Sequence, residues 1–312
     1  MPIVSVIIPT HNRAELLCSA ITSVLNQTFQ DFEILVIDDA STDNTREVIS
    51  RYRDTRIKYI HHEVNKGEAG SRNTGILHSH AEYIAFLDDD DEWLPEKLQL
   101  QIDLFNSCQQ EIGVIYTGYL RVDWTKKKIL KQTVPIKRGY IYNDMFIQNY
   151  VGIPSTIILR RKCFDLVGLF DGSLPYGTDY DMWIRLAKEF HFDYIREPLV
   201  KYCVHQERIS SHLDARINGL EILLKRYNHL FAANSKRHSY YHSHIGMMYC
   251  SIGSIKKGRE LLLKAIKIYP LGIRGYLCFV LFLLGKNNFR RVKKIIYFLR
   301  STGFYFTHRD RR

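Results

Sequence analysis

Four consecutive carboxylates, Asp88-Asp89-Asp90-Asp91, follow directly on the apolar run Tyr83-Ile84-Ala85-Phe86-Leu87 and are succeeded by Glu92 and Trp93. Like charges this close repel and raise one another's pKa unless a cation neutralises them. Their hard oxygen donors suit Mg²⁺ or Mn²⁺, and Mg²⁺ commonly links carboxylates to a substrate's phosphates. The apolar run reads as a buried parallel strand. The acids then sit at its carboxyl end, where open α/β sheets bind ligands. One reading is a divalent-metal site for a phosphorylated donor. The other is a solvated acidic turn that caps the next helix, since carboxylates favour helix N-termini.

The elements around this run alternate. Val4 to Pro9, Phe32 to Ile37, Ile57 to Ile60 and Tyr83 to Leu87 have strand patterns. Arg13 to Asn26, Thr45 to Arg53 and Gly70 to His78 have helical spacing, with Ser41 and Thr42 as caps for the second helix. Such alternation predicts a parallel sheet with helices on both faces. Pro95 is expected in the first turn of a helix running to about Ser107. Further on, Gly113 to Tyr119 and Ser155 to Arg160 look like strands. Asp179 to Phe190 looks helical, with Met182, Trp183, Leu186 and Ala187 on one face. From about Asp214 only helices are expected. Tyr241, Ile245, Met248 and Tyr249, then Gly253, Ala265 and Pro270, suggest one helix-turn-helix unit of the tetratricopeptide kind.

The chain has 312 residues and a net charge of +11, unevenly placed. Residues 201–312 hold 22 Lys and Arg against 5 Asp and Glu, whereas residues 1–200 hold 22 against 28. A basic tail of this kind points to an anionic partner or to a solvated basic surface. Residues 275–284 are almost wholly apolar but too short to span a bilayer, which takes about 20 helical residues. They read as a buried core helix or, with the basic clusters Arg290-Arg291, Lys293-Lys294 and Arg309 to Arg312, as a peripheral membrane anchor. Six scattered cysteines without a CxxC pair argue against a zinc ribbon or disulfide framework. No signal peptide is expected at the N-terminus. The location expected is therefore cytoplasmic, peripheral on the inner membrane face if the tail is an anchor.

Taken in order, six pieces carry a resemblance. They are Ser5 to Arg13; Glu33 to Thr45 with Asp38-Asp39; Asn65-Lys66-Gly67 with Ala69 to Gly75; the acidic run; Gly177 to Leu186; and Tyr202 to Ser210. In this order and spacing the chain resembles the family 2 glycosyltransferases of the GT-A fold, over roughly residues 3 to 212. The resemblance implies an α/β fold with a Rossmann-like mixed, mainly parallel sheet, spanning residues 1–212. Residues 213–312 would form a basic helical appendage, tetratricopeptide-like or membrane-associating.

The resemblance also implies roles. Pro9, Thr10, Asn12 and Asp39 match nucleoside-binding positions, and Arg72 a position near the diphosphate. Asp88 and Asp90 match the D-x-D pair, with Asp90 the direct ligand of Mn²⁺ or Mg²⁺. Asp88 and Asp89 are also expected at the sugar nucleotide, with Asp89 or Asp91 towards sugar hydroxyls. His205 would complete the metal or diphosphate site. Asp179 matches the base of inverting members, but Thr178 stands where the family usually has Glu. Trp183 packs in the core or stacks on a sugar ring. The function implied is inverting transfer from a nucleotide-diphosphate sugar, with uracil the expected base, to a lipid-linked or surface-glycan hydroxyl. The alternative is a degenerate transferase-fold adaptor acting through its basic tail. Nucleic-acid binding has no zinc module, aromatic RNA-binding motif or clear helix-turn-helix to support it.

Overall fold

In the computed structural model, which describes residues 1–108, 110–125, 127–204 and 213–283, the first strand β1 (Val4–Thr10) lies in the middle of the parallel part of one sheet. Its side chains are all buried, as a β-branched run covered on both faces requires. Parallel neighbours are β2 (Phe32–Asp38), with β3 (Ile57–His61) beyond it, and β4 (Tyr83–Phe86) on the other side. Among the described residues the sheet has nine strands in the order β3-β2-β1-β4-β8-β6-β9-β5, with β7 on β6. The remaining strands are β5 (Glu92–Trp93), β6 (Ile112–Asp123), β7 (Lys128–Thr133), β8 (Ile157–Arg160) and β9 (His191–Val204). β8 runs antiparallel to β4 and β6, and β9 parallel to β6, so the sheet is mixed.

Helices α1 (Ala14–Leu25), α2 (Thr45–Ser50), α3 (Gly67–His78) and α4 (Lys97–Ser107) connect the first strands. α1 buries Ala14, Leu17, Ala20, Ile21 and Val24, the spacing of one helical face. α3 starts three residues earlier than expected, at Gly67. It lies close on β1, since a β-carbon on Gly75 would come within 2.5 Å of Ile7 Cγ2. Pro95 precedes α4 and does not sit in its first turn. Ser41 and Thr42 do not cap α2. The carboxylate of Asp43 does that work, accepting from the Thr45 amide at 3.0 Å. Short helices α5 (Tyr142–Met145) and α6 (Cys163–Val167) precede α7 (Thr178–Glu189), which buries Met182, Trp183, Leu186 and Ala187 as expected. Strands β5, β7 and β9 were not anticipated, β5 being only two residues long. β7 is nearly all exposed, and β9 mixes buried and exposed positions around Pro198, so neither shows a strand's alternation.

The chain divides into two compact units, Met1–Ile209 and Ser210–Arg312. In the second, α8 (Leu213–Arg226), α9 (Asn228–Ala232), α10 (Ser235–Ile252), α11 (Ile255–Ile268) and α12 (Ile273–Leu283) follow one another. The turn between α10 and α11 is made by left-handed Gly253, and the two helices touch closely at Gly246 and Gly258. No helix among the described residues is long and apolar enough to cross a membrane. The basic clusters beyond residue 283 lie outside the described residues.

Candidate active site

β4 ends at Phe86, and the acidic run follows as a tight turn in which the Asp91 amide donates to the Asp88 carbonyl at 3.0 Å. The strict alternation of a strand stops here. As a result the carboxylates of Asp88, Asp90 and Asp91 come together, with one oxygen of each within 4.8 Å of the others. The i, i+2 pair Asp88 and Asp90 was expected. Asp91 joins it because the turn folds the chain back. Ser155 Oγ holds this turn by accepting from the Asp88 amide at 3.1 Å and donating to Asp91 Oδ2 at 2.6 Å. Asp91 Oδ1 accepts from the Cys203 amide of β9 at 3.2 Å.

Asp89 is outside that group and its carboxylate is occupied. It accepts from Thr10 Oγ1 at 2.8 Å and from Arg13 Nη1 at 3.0 Å. The same Arg13 nitrogen lies 3.7 Å from Asp90. Arg13 thus ties the loop after β1 to the acidic turn. Burial raises Asp89 to about 6, with Arg13 opposing and Asp90 adding to the rise.

Arg72 projects from α3 with no solvent exposure. Its Nη2 donates to Asp88 Oδ1 at 2.6 Å and also pairs with Glu68, one helical turn back. Nε and Nη1 are buried and have no hydrogen-bond partner among the described residues. Burial works against the guanidinium's charge, but the carboxylates of Glu68, Asp88 and Asp179 outweigh it and raise its pKa. Asp88 is lifted to about 7, by burial first and then by Glu68 and Asp90, against the pull of Arg72.

Asp179 stands in the first turn of α7, behind Gly177 in the left-handed conformation at φ 80°. Its carboxyl is raised to about 6 by burial and by Glu68, against Arg72 and the amides of Tyr180 and of its own residue. α7 is fastened by Arg185, which donates to buried Asp181 at 2.9 Å and to the carbonyls of Val167 and Leu169. Trp183 is wholly buried and edge-on to Phe170. That is core packing, and no face is left for a sugar ring.

The loops after β1 and β2 hold the remaining expected residues. Asn12 has φ 53°, and its Oδ1 accepts from the amides of Thr42 at 2.7 Å and Asp43 at 3.3 Å. Pro9 is buried opposite Ile37. Asp39 accepts from the Lys66 and Gly67 amides at 2.8 Å each and sits 2.8 Å from His62 Nδ1, which leaves about one of a carboxylate's four acceptor positions. It therefore anchors the start of α3. His205 lies outside the described residues.

The structure thus gathers Arg72, Asp88, Asp90 and Asp179 with Asp91, expected only towards sugar hydroxyls, and with the unforeseen Glu68. Thr10 and Asp89 form a second contact, linked to the first by Arg13. Arg13, Glu68 and Ser155 carry no signal in their own sequence context, because their partners are set by the fold. Three carboxylates that offer oxygen alone, one of them raised by burial and then by its acidic neighbours, fit a hard divalent cation.

The model described as "Glycosyl transferase family 2" matches residues 5–168. The chain is 33% identical over 212 residues to the UDP-Glc:alpha-D-GlcNAc-diphosphoundecaprenol beta-1,3-glucosyltransferase WfgD of Escherichia coli, covering 67% of this chain and 80% of that protein. It is similar in structure to S. aureus TarS 1-349 in complex with UDP-GlcNAc, with a TM-score of 0.63, 17% identity, and 96% and 92% of the two chains covered. It is also similar to the mannosyltransferase PcManGT from Pyrobaculum calidifontis in complex with GDP-Man and Mn2+, with a TM-score of 0.58, 16% identity, and coverage of 85% and 75%. At such identities the structural likeness speaks for the fold.

Proposed function

The chain belongs to glycosyl transferase family 2, and from that premise we propose that it moves a sugar from a nucleotide-diphosphate donor, a UDP-sugar, to a hydroxyl of a lipid-linked or surface-glycan acceptor with inversion. The observation that carries this is one arrangement. A carboxylate group fit for a divalent cation pairs with a buried arginine whose charge also acts on a second, separately raised carboxylate. The first half suits a diphosphate donor, the second an acceptor hydroxyl.

Asp88, Asp90 and Asp91 would hold Mn²⁺ or Mg²⁺. Such an ion, when bound, neutralises charge on a leaving diphosphate. The chain's own residues do the rest. Ser155 and Arg13 keep the turn in shape, and Arg72 offsets part of its charge. Asp179, ionised above about pH 6, accepts the proton of the acceptor hydroxyl. The oxygen so freed forms a bond to the anomeric carbon as the bond to the nucleoside diphosphate breaks on the opposite side. One displacement inverts the centre. The WfgD likeness supports a UDP-sugar and a lipid-linked acceptor. An acceptor of that kind suits a protein whose basic helical unit rests on the inner membrane face.

The test is calorimetric binding of UDP, GDP and dTDP with and without Mn²⁺, to the wild type and to Asp90→Ala. The expected result is Mn²⁺-dependent binding of UDP that the substitution abolishes. Folded protein that binds none of the three would remove the donor assignment and favour the adaptor reading.

A further inference from the structure

In the resemblance described above, Thr178 takes the place of a carboxylate that usually precedes the base. Glu68 lies at the second position of α3 and was not among the residues expected to act. Three observations connect it to the reacting end of the site. It pairs with Arg72, whose same nitrogen reaches Asp88. The neighbouring Asn73 exchanges two 2.9 Å hydrogen bonds with the backbone of Phe170. Phe170 in turn lies under the Arg72 guanidinium, 5.6 Å from its ring centroid, and packs edge-on against Trp183 of α7. α3 and α7 are thereby held through one packed joint at their second turns. Glu68 stands one turn before it in α3, and Asp179 one turn before it in α7.

We infer that Glu68 is a positioning residue for Asp179: by engaging Arg72 it keeps that cation from neutralising the base, in place of the carboxylate absent at 178. This rests on Asp179 serving as the base. Among the described residues, the charged groups that act most on Asp179 are Glu68 and Arg72 from α3, and the amides of 179 and 180 of its own helix donate to it. Asp88 is reached through Arg72, and Asp181 is taken by Arg185. Arg72 pairs directly with Glu68 and Asp88 and acts on Asp179 only through its charge, so the more of that charge Glu68 offsets, the less of it reaches Asp179. The direction found for Asp179 agrees, because Glu68 opposes its ionisation and Arg72 favours it. The Glu68 side chain is 41% exposed, so solvent screens part of its charge and the effect is moderate.

The test compares wild type, Glu68→Gln and Glu68→Gln/Thr178→Glu. The carboxyl titration of Asp179 is followed by carbon-13 NMR, assigned with Asp179→Asn. Transfer kinetics are measured in parallel. In Glu68→Gln the Asp179 midpoint should fall by roughly half a unit to one unit, with the acid limb of the rate profile moving alike. kcat should drop by roughly tenfold, while donor KM stays within about twofold. A carboxylate restored at 178 should bring midpoint and kcat back. An unmoved midpoint in Glu68→Gln, or a folded double variant without recovery, overturns the inference. If the midpoint moves but the wild type transfers no sugar from any nucleotide donor, the coupling stands and the functional reading fails instead.

Discussion

Asp179 holds its proton to about pH 6 because burial and Glu68 together outweigh Arg72. As the proposed base it would work only when ionised, so kcat/KM should fall as pH drops through about 6 and be flat above it. A rate profile with its acid limb at the ordinary carboxylate value near 4 would contradict this. Asp179→Asn should leave donor affinity nearly unchanged and cut transfer by roughly 10²- to 10⁴-fold, measured as kcat at saturating donor. At this scale the sequence was legible where chemistry repeats at short spacing. Asp88 and Asp90 are two residues apart and do converge. Asp91, expected only towards sugar hydroxyls, joins them, since a turn replaces the extended chain after β4. Arg72 was legible as a residue of the site. Its pairing with Glu68 and Asp88 was not, because a helix register and a sheet end had first to be set side by side.

The elements show the same division. The strands with continuous apolar runs fell where expected, within a residue or two, because burial on both faces leaves little choice of pattern. β7 and β9 escaped notice because their exposed positions dilute the signal. α7 depends on an ion pair whose acid is wholly buried. Arg185→Met should destabilise the first unit by about 3 kcal/mol, since it leaves the Asp181 charge buried and only partly compensated. Chemical denaturation reads this directly, and a change under 1 kcal/mol would show that the pair is not structural. α4 carries an opposite case. Lys97 is fully buried, donates to Gln101 at 2.8 Å and lies 3.9 Å from the Trp93 ring centroid. Burial drives its pKa well down, and the ring's pull on a cation does not reverse that. The unfolded chain therefore binds a proton that the folded chain refuses, so this residue's contribution to stability is lost as pH falls below about 10. Lys97→Met should raise the melting temperature at pH 7, and the gain should shrink towards pH 10.

The whole molecule sets an acidic first part against a basic second one. The second unit also exposes Leu271, Ile273, Tyr276 and Val280 around α12. If it rests on a membrane as proposed, the full chain should sediment with vesicles containing anionic lipid, and 0.5 M salt should release most of it. Retention on neutral vesicles alone would point to apolar contact without charge. The tail's charge was legible in the sequence. Its fold was legible only as helices joined at Gly253, because packing partners leave little trace in a basic, weakly periodic segment.

The sheet order has a bearing on how the molecule is made. The acidic turn is synthesised early, yet the groups that shape it come late: Ser155 lies 64 residues beyond Asp91 and Cys203 lies 112 beyond it. Contacts of such long separation form slowly and only after the intervening chain is available. During synthesis the four acids therefore emerge well before the strand that clamps them. A chain interrupted before β9 carries every carboxylate of the cluster and lacks its shape. If the cluster holds a cation as proposed, that capacity arrives with β9, and an unfinished chain has little means to sequester metal or donor.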